Sequence, residues 1–433
     1  MNSKPNFFAL RQGASTVGTG HIGPIPYIGS GSADVHHGFG ANATSTANLE
    51  IPTRPVAAGL EDHEVFGDVL ARDTVVRDYL RPIKRHLLAH RATEIWINKP
   101  GELVIQLETG NVTVQEPALD FAALESFAQA IAVYSPQQQT VGAKTPLLSA
   151  TMPDGERIQI VLPPAVEAGM VSMSIRIPKA DVIPLAKYRD SGAFSKFIWA
   201  RPDNLREAMA TLSPQDRRLA ELLEQGNLHD FLIESILAKK NTGVTGDTGS
   251  GKTTLMMSMC QHIPHHERLI TVEDVRELML PHHSNRVHLL YSKSSQGVAR
   301  ITPADLIGSL MRMAPDRALL AELRSSEAWD FLKLLTTGHS GSITSWHAES
   351  CALGSERFVF MAKENPEAAT LSREEIKHLY TLTIDVVIHI TRKIVYDRDG
   401  HQVGYERFVD EVYFDPWAKT QARFGDRSVG AKP

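Results

Sequence analysis

Apolar and polar residues alternate in short runs throughout the second half of the chain, and this pattern predicts an α/β sheet. From residue 213 onward, short apolar and β-branched runs are separated by segments with helical spacing, which is typical of strands and helices that alternate around a sheet. The longest two runs, 384–396 and 403–414, flank the turn residues Arg398-Asp399-Gly400 and predict a β-hairpin. We therefore predict an α/β domain over residues 213–415. The shorter predicted strands are 269–272, 287–290, 318–320 and 342–346, and the predicted helices include 303–313 and 326–336.

A smaller α+β domain is predicted over residues 73–180. Its elements are a helix from residue 73, hairpin strands 94–98 and 102–106, a helix at 121–133, and strands at 156–161 and 171–176. The segment that follows, 181–212, contains Pro184, Gly192 and Pro202 without a periodic pattern. It is interpreted as an irregular linker between the two domains.

Both ends of the chain are predicted to be tails. Residues 1–65 are rich in Gly, Ser, Thr, Ala and Pro and show no helical or strand periodicity, which predicts a disordered N-terminal tail. His36 and His37 in this tail are interpreted as solvated histidines, because local structure places no third metal ligand beside them. Residues 416–433 follow the last predicted strand and are assigned to a C-terminal tail.

Residues 74–91 predict an amphipathic helix with a basic polar face. Its apolar face carries Leu80, Ile83, Leu87 and Leu88, and its basic residues are Arg77, Arg81, Lys84, Arg85 and Arg91. Pro82 is expected to kink this helix or to mark a new first turn. Such a helix can make peripheral contact with anionic lipid, and the alternative is a charged face in solvent. The sequence leaves both interpretations open.

Composition narrows the functional classes. The chain has 433 residues, of which 42% are hydrophobic, so it can form two or three domains with complete cores. No apolar run approaches the length of a membrane span and the N-terminus lacks a secretory signal pattern, so we expect a cytoplasmic protein. Cys260 and Cys351 are too few for a disulfide framework and are expected to be reduced and partly buried. The net charge of −5 does not favour a dedicated nucleic-acid binder.

The pattern G-x-x-x-x-G-K-[ST] occurs once, between the short segment 241–245 and a predicted helix at 254–262. Its glycines allow backbone N–H groups to converge on phosphate oxygens, and the helix N-terminus adds positive partial charge. Lys252 is expected to reach the β- and γ-phosphates, and Thr253 to offer its hydroxyl to Mg²⁺. The sequence therefore predicts that the protein binds ATP with Mg²⁺. The predicted nucleotide-binding residues are Gly246, Asp247, Thr248, Gly249, Ser250, Gly251, Lys252, Thr253 and Thr254.

Acidic residues follow two of the predicted strands. Glu273 and Asp274 end the strand at 269–272, at the edge where α/β sheets place their ligands. Glu322 follows the apolar strand at 318–320, as in a Walker B segment. Either glutamate could activate the attacking water, and Glu322 could also hold Mg²⁺ through water. For the first pair, the alternative is a helix cap or a salt bridge to Arg276.

Two histidines lie on either side of the strand at 342–346. His339 and His347 are eight positions apart, which is too far for one metal ion to join them across a strand. His347 is the preferred candidate for a sensor of the γ-phosphate. For His339, a functional role and a purely structural role both stay open.

In this order, the motifs resemble those of the traffic ATPases that power type IV secretion and conjugation, which are relatives of the type II secretion and type IV pilus ATPases. The resemblance extends over roughly residues 75–415. The matching segments are the phosphate loop at 246–253, an "Asp box" at 270–278, a Walker B stretch at 312–324, a "His box" at 337–347, and N-terminal segments at 97–101, 154–157 and 174–176.

The resemblance implies a homo-hexameric ring with nucleotide between the N-terminal domain and a RecA-like C-terminal domain, whose closure drives transport or pilus assembly. Arg157 and Arg176 match two N-terminal arginines that reach the γ-phosphate in such proteins. The implied partners are other secretion-system components at the cytoplasmic face of the inner membrane, and nucleic acid is not required. Lys252 and His347 complete the set of predicted catalytic residues, and the resemblance leaves the base open between Glu273 and Glu322.

Three other functions remain as alternatives. A RecA-like DNA motor would be strongly stimulated by DNA, which the acidic net charge does not favour. A type II secretion or type IV pilus ATPase is the second, although the chain lacks the four-cysteine zinc module of many type II members. A nucleotide-gated scaffold without hydrolysis is the third, and the complete set of Lys252, Glu322 and two candidate arginines argues against it.

Overall fold

A computed structural model describes residues 71, 73–90, 92–135, 140–177, 182–201, 205–291 and 301–424 of the chain. The predicted N-terminal tail, 1–65, lies outside the described residues together with His36 and His37, and so do residues 425–433. Arg91 and the side chains of 87–90 and 205–207 lie outside as well. All described residues belong to one unit, Val69–Pro433.

The smaller domain contains a six-stranded antiparallel sheet in the order β3-β2-β1-β6-β5-β4. Burial alternates along its strands, so that one face packs on two helices and the other presents polar side chains. The buried face includes Ile95, Ile105 and Ile158, which contact Phe127 and Leu80 in one apolar cluster. The predicted α+β domain is confirmed. Its elements are α1 (Thr74–His90), β1 (Glu94–Ile97), β2 (Glu102–Leu107), β3 (Gly110–Gln115), α2 (Phe121–Tyr134), β4 (Leu147–Thr151), β5 (Arg157–Val161) and β6 (Ser172–Arg176).

Helix α1 buries its apolar face against the sheet, and the basic residues of its polar face form ion pairs with acidic side chains. Val76, Leu80 and Ile83 are almost fully buried against the sheet. Pro82 lies inside the continuous helix and does not begin a new one. Each described cation of the basic face meets an acid: Arg77 lies near Asp73 and Asp154, Arg81 near Asp78, Lys84 near Asp154, and Arg85 near Glu116.

The larger domain contains an eight-stranded sheet in the order β10-β9-β11-β12-β8-β13-β14-β7. Strand β8 lies between β12 and β13 and is parallel to both, and its four residues are all buried because helices cover both faces of the sheet. This arrangement confirms the predicted α/β fold with a RecA-like C-terminal domain. The elements from the phosphate loop onward are β8 (Thr242–Thr245), α7 (Lys252–Cys260), β9 (Leu269–Glu273), β10 (Arg286–Leu290), α8 (Pro303–Leu310), β11 (Arg317–Leu320), α9 (Glu327–Thr336), β12 (Ile343–Trp346), α10 (Cys351–Lys363), α11 (Arg373–Thr383), β13 (Val386–Tyr396), β14 (Gln402–Phe414) and α12 (Pro416–Phe424).

The interpretation of residues 181–212 as irregular is wrong. They form α3 (Leu185–Asp190), β7 (Ile198–Ala200) and α4 (Leu205–Thr211), and two longer helices follow, α5 (Pro214–Glu224) and α6 (Leu228–Leu237). Strand β7 pairs with β14 at the edge of the large sheet, and Tyr188 and Phe194 lie in the core of the larger domain. A three-residue edge strand and a six-residue helix are too short to show a periodic pattern, so the sequence did not reveal them. The domain boundaries themselves stay predictions.

Two further expectations need correction. Residues 416–424 were assigned to a tail, but they form helix α12, which packs near α11. Cys260 and Cys351 are free thiols, and both are buried more completely than expected. Burial raises the pKa of the Cys260 thiol to about 12, which makes it a poor nucleophile.

Candidate active site

The phosphate loop connects the buried strand β8 to helix α7. Gly246 and Gly251 both have positive φ, at 148° and 105°. A Cβ at Gly246 would lie 2.1 Å from the carbonyl oxygen of Ile390, so only glycine fits there. Gly251 is the N-cap of α7 and provides no side-chain hydrogen bond to the helix. The first N–H groups of α7 are therefore available to an anion.

Lys252 lies inside the loop, where it is almost completely buried. Its ammonium donates to the carbonyl oxygens of Gly246 and Asp247 at 2.8 and 2.9 Å, and to Nδ1 of His347 at 3.2 Å. Burial lowers the pKa of Lys252 to about 8, and the negative charges of Glu322 and Asp247 oppose that shift. The loop therefore holds the lysine as a cation whose solvation has been removed before any phosphate arrives.

His347 lies between Lys252 and Glu322 and contacts both. Nε2 of His347 lies 2.8 Å from Oε1 of Glu322, and Arg324 forms an ion pair with the other carboxylate oxygen. Because the Lys252 ammonium can only donate, Nδ1 of His347 accepts and Nε2 carries the proton that is donated to Glu322. The structure thus brings together three of the predicted catalytic residues, in the order Lys252, His347, Glu322. His339 lies at the other end of β12, where it contacts Thr337 at 3.1 Å.

Glu273 has a different environment. It is 1% exposed, and one carboxylate oxygen accepts from the backbone N–H groups of Glu277 and Leu278 at 2.7 and 2.9 Å. The other oxygen accepts from the Thr271 hydroxyl at 2.6 Å and lies 3.0 Å from Nδ1 of His288. These contacts hold the turn after β9 and occupy both oxygens. Glu273 is therefore less accessible than the Walker B glutamate, Glu322, whose side chain is 17% exposed.

Arg157 and Arg176 lie opposite each other on the neighbouring strands β5 and β6. Nη2 of Arg157 is 3.2 Å from Oδ2 of Asp274, and the same guanidinium pairs with Glu277, so the smaller domain contacts the turn after β9. Burial lowers the pKa of Arg157, and Asp274 opposes the shift. Arg176 is 3.7 Å from Glu94 and is close enough to Lys252 to lower the pKa of that lysine.

A cavity of about 760 Å³ lies between the phosphate loop and the smaller domain. This volume is within the range of small-molecule sites. Thr248, Gly249, Gly251, Thr253 and Thr254 line it from the loop. Arg157 and Arg176 line it from the smaller domain, and the apolar side chains of Ile183, Tyr188, Met257 and Met279 also line it. One surface therefore presents cations and N–H donors, and another presents apolar groups that suit a base.

The magnesium contact stays a prediction, and the chemistry of the residues present can be compared with it. Among the described residues, no cluster of three or more His, Cys, Asp or Glu side chains could hold a metal ion. Mg²⁺ at phosphate sites usually takes one or two protein ligands together with phosphate oxygens and waters. Thr253 lines the cavity and Glu322 lies beside Lys252. These two residues are therefore compatible with a Mg²⁺ ion that takes one or two ligands from the protein.

Three residues of this site were missed in the sequence. Arg392, Tyr405 and Arg407 of the β13–β14 hairpin line the cavity beside the loop. The hairpin itself was predicted, but its register was not, and only the register shows which of its side chains share a face. Arg324 was noted only as part of the Walker B stretch, although it joins Glu322 to Asp274, whose Oδ2 it approaches at 3.3 Å.

Comparison with known proteins shows one consistent set of relatives. Residues 211–421 match the family model "Type II/IV secretion system protein". The chain is 39% identical over 350 residues to the type IV secretion system protein VirB11 of Brucella suis biovar 1 (strain 1330), which covers 80% of this chain and 92% of that protein. It is 36% identical over 349 residues to PtlH of Bordetella pertussis (strain Tohama I), covering 79% and 96%. The crystal structure of the VirB11 ATPase from the Brucella suis type IV secretion system in complex with sulphate is 39% identical, with 80% and 99% covered and a TM-score of 0.43.

Proposed function

Because the chain belongs to the VirB11 family of type IV secretion system ATPases, we propose that it hydrolyses ATP between its two domains and uses domain closure to drive transport or pilus assembly. One observation carries this proposal. Lys252, His347 and Glu322 meet at the phosphate loop, and two arginines of the smaller domain line a cavity that other residues of the loop also line. Such an arrangement places cations on both sides of a triphosphate.

Each group has a defined task in this proposal. The N–H groups of the loop and the Lys252 ammonium bind the phosphates and offset the charge that develops as the terminal bond breaks. Glu322, oriented by His347 and Arg324, orients the attacking water and accepts its proton. Bound Mg²⁺ would supply further charge neutralisation at Thr253. Arg157 forms ion pairs with Asp274 and Glu277, and a terminal phosphate would compete with these carboxylates for the same guanidinium.

The proposal extends to assembly and location. We expect a homo-hexameric ring that works with other secretion-system components at the cytoplasmic face of the inner membrane, and we do not expect nucleic acid to be required. In the described part of the chain, no helix is both long and apolar enough to cross a membrane. Lipid contact through residues 74–91 stays a prediction, and the ion pairs of α1 weigh against it.

The direct test is ATP turnover by the full chain and by two lysine variants. Lys252→Ala should abolish turnover, because the variant loses the ammonium that the loop is expected to place on the β- and γ-phosphates. Lys144→Ala, an exposed lysine of the smaller domain, is the matched control and should keep the wild-type rate. Wild-type turnover by Lys252→Ala, or no turnover by the wild type with Mg²⁺, would refute the proposed function.

A further inference from the structure

The β13–β14 hairpin places two arginines directly opposite each other on the face that covers the phosphate loop. Arg392 pairs with Arg407 in the antiparallel register, and Tyr405 lies two residues before Arg407 on the same face. The Arg392 guanidinium is 4.5 Å from the centre of the Tyr405 ring, and that of Arg407 is 5.4 Å from it. Strand geometry therefore gathers three side chains that line the cavity.

These arginines touch the loop itself. Nε of Arg407 donates to the carbonyl oxygen of Gly249 at 3.3 Å, and its Cδ lies 3.6 Å from the position of a Cβ at Gly251. A Cβ at Gly249 would meet Nη1 of Arg392 at 2.8 Å. Both guanidinium groups thus lie against the glycines whose backbone is expected to surround a phosphate.

The two charges are not neutralised within the described part of the chain. Neither guanidinium forms an ion pair there, and Glu108 influences Arg407 only from beyond ion-pair distance. Burial lowers the pKa of Arg407, and Arg392 lowers it further. Like charges directly opposite each other destabilise a strand pair, so the free hairpin carries an electrostatic cost.

On the other face of the same hairpin, opposite charges lie across from each other. Lys393 pairs in register with Glu406, and Glu406 also contacts Lys196 at 2.5 Å. Opposite charges therefore meet on the face away from the cavity, whereas like charges meet on the face that lines it. This contrast indicates that the arginine pair is complementary to an anion that arrives in the cavity.

We propose that Arg392 and Arg407 form a phosphate-binding pair that contacts the phosphate chain of a nucleoside di- or triphosphate from the hairpin side of the loop. This inference rests on the proposed function, since it takes the cavity as the nucleotide site. It adds a second set of cations to Arg157 and Arg176, carried by the larger domain itself. The pair therefore binds nucleotide whether or not the smaller domain closes, and it serves a diphosphate as well as a triphosphate.

The first experiment measures equilibrium binding of ADP and adenosine to full-length Arg392→Gln, Arg407→Gln and the double variant. Each arginine should contribute about tenfold to ADP affinity, as expected for a charge-assisted hydrogen bond, and nothing to adenosine affinity. Lys393→Gln is the matched control, because it removes one positive charge from the adjacent position on the opposite face. It should bind ADP as the wild type does.

The results separate this inference from the proposed function. Absence of ADP binding by the wild type would refute both. Normal wild-type binding with equal ADP affinity in the arginine variants would refute the arginine pair alone. An equal loss for ADP and adenosine would also refute it, because the arginines would then contact the base or ribose instead of the phosphates.

A second experiment needs no variant and so does not depend on folding. Phenylglyoxal modifies accessible arginines, and mass spectrometry can follow each site in the wild-type chain. ADP should slow the modification of Arg392 and Arg407 about tenfold or more, adenosine should not, and Arg398 in the exposed hairpin turn should react at the same rate throughout. Unchanged rates at Arg392 and Arg407 under saturating ADP would overturn the proposal.

Discussion

Glu273 and Glu322 follow neighbouring parallel strands, yet the structure gives them opposite surroundings. Strands β9 and β11 pair side by side, with Leu320 opposite Val272, so both acids reach the same edge of the sheet. Glu273 is buried, and both its oxygens accept hydrogen bonds from the turn and strands around it. The Glu322 side chain stays 17% exposed and contacts His347 and Arg324.

The difference shows that the segment after a strand decides the surroundings of the acid at its end. After Glu273 the backbone turns back, so that the N–H groups of Glu277 and Leu278 point at its carboxylate. After Glu322 the chain continues to Arg324, and His347 arrives from β12. The Glu273 carboxylate thereby holds the turn, and the Glu322 carboxylate stays partly exposed beside His347.

Of the two acids, Glu322 should have the larger effect on hydrolysis when it is replaced by glutamine. Loss of the charged carboxylate should slow hydrolysis in a single turnover by about two orders of magnitude or more, while ATP stays bound, because the general base is lost. Rapid-quench measurement at saturating ATP checks this. A rate near wild type would remove Glu322 from the reaction.

Glu273→Gln should lower the stability of the fold and change the rate of hydrolysis much less. The variant loses a charged acceptor for two buried N–H groups, so the free energy of unfolding should fall by about 1–3 kcal/mol. Hydrolysis per folded molecule should change far less than in Glu322→Gln. Urea unfolding and single-turnover rates, measured on the same sample of each variant, separate the effect on stability from the effect on hydrolysis. A larger rate loss in Glu273→Gln than in Glu322→Gln would move the base role to Glu273.

A smaller effect concerns the proton balance of Lys252. Its pKa of about 8 means that a substantial fraction of the lysine is neutral at that pH without nucleotide. Phosphate oxygens favour the charged form, so binding of ADP should raise this pKa and take up protons. Calorimetry at pH about 8 in buffers of different ionisation enthalpy should detect the uptake, which should vanish near pH about 6.5, where the lysine is already charged.

A control variant shows whether this result is specific to Lys252. Lys144→Ala should take up protons as the wild type does, since this exposed lysine of the smaller domain is not part of the phosphate loop. Zero uptake by the wild type at the higher pH would mean that the lysine is fully charged before nucleotide binds.

The smallest expected effect is a pH dependence of stability through His389. Burial lowers the pKa of this histidine, but hydrogen bonding to Asp410 and the charges of Asp410 and Glu411 raise it more, to a net value above 6.5. Its nitrogens lie 2.5 Å from Oδ1 of Asp410 and 3.2 Å from the carbonyl oxygen of Ala348, beside His347. The raised pKa stabilises the fold below pH 6.5, and this contribution is lost as pH rises through the folded-state value.

The difference in Tm between the wild type and His389→Gln should therefore be largest near pH about 6 and should shrink towards pH about 9. It should amount to a few degrees, since about 1 kcal/mol shifts the Tm of a domain of this size by about 2–4 °C. His401→Gln, in the exposed hairpin turn, is the control. A difference that stays constant with pH would show that His389 does not titrate in this range.

Local motifs were predictable from the sequence because all of their chemistry lies within a few residues. The phosphate loop and the Walker B glutamate are examples, since a strand, its last residue and the following turn are contiguous. Features that depend on pairing between distant segments were not predictable. The edge strand β7 pairs with β14 across more than two hundred positions, and the Arg392–Arg407 pair depends on the register of a hairpin.

The contrast between the two acids had the same cause. Both were identified as candidates, because each follows an apolar strand. Their burial and hydrogen-bond partners depend on how the turn after β9 folds and on His347, which lies 25 residues beyond Glu322 in the chain. No local pattern carries that information.

The central claim is that the smaller domain completes the catalytic site, and hydrolysis by the Arg157→Ala/Arg176→Ala variant tests it most directly. The rate should fall by about a thousandfold or more while ADP affinity is nearly kept, because ADP lacks the phosphate that these arginines contact. Small-angle scattering should show that an ATP analogue compacts the wild type and leaves the variant unchanged. Wild-type hydrolysis by a variant that still closes would contradict the account.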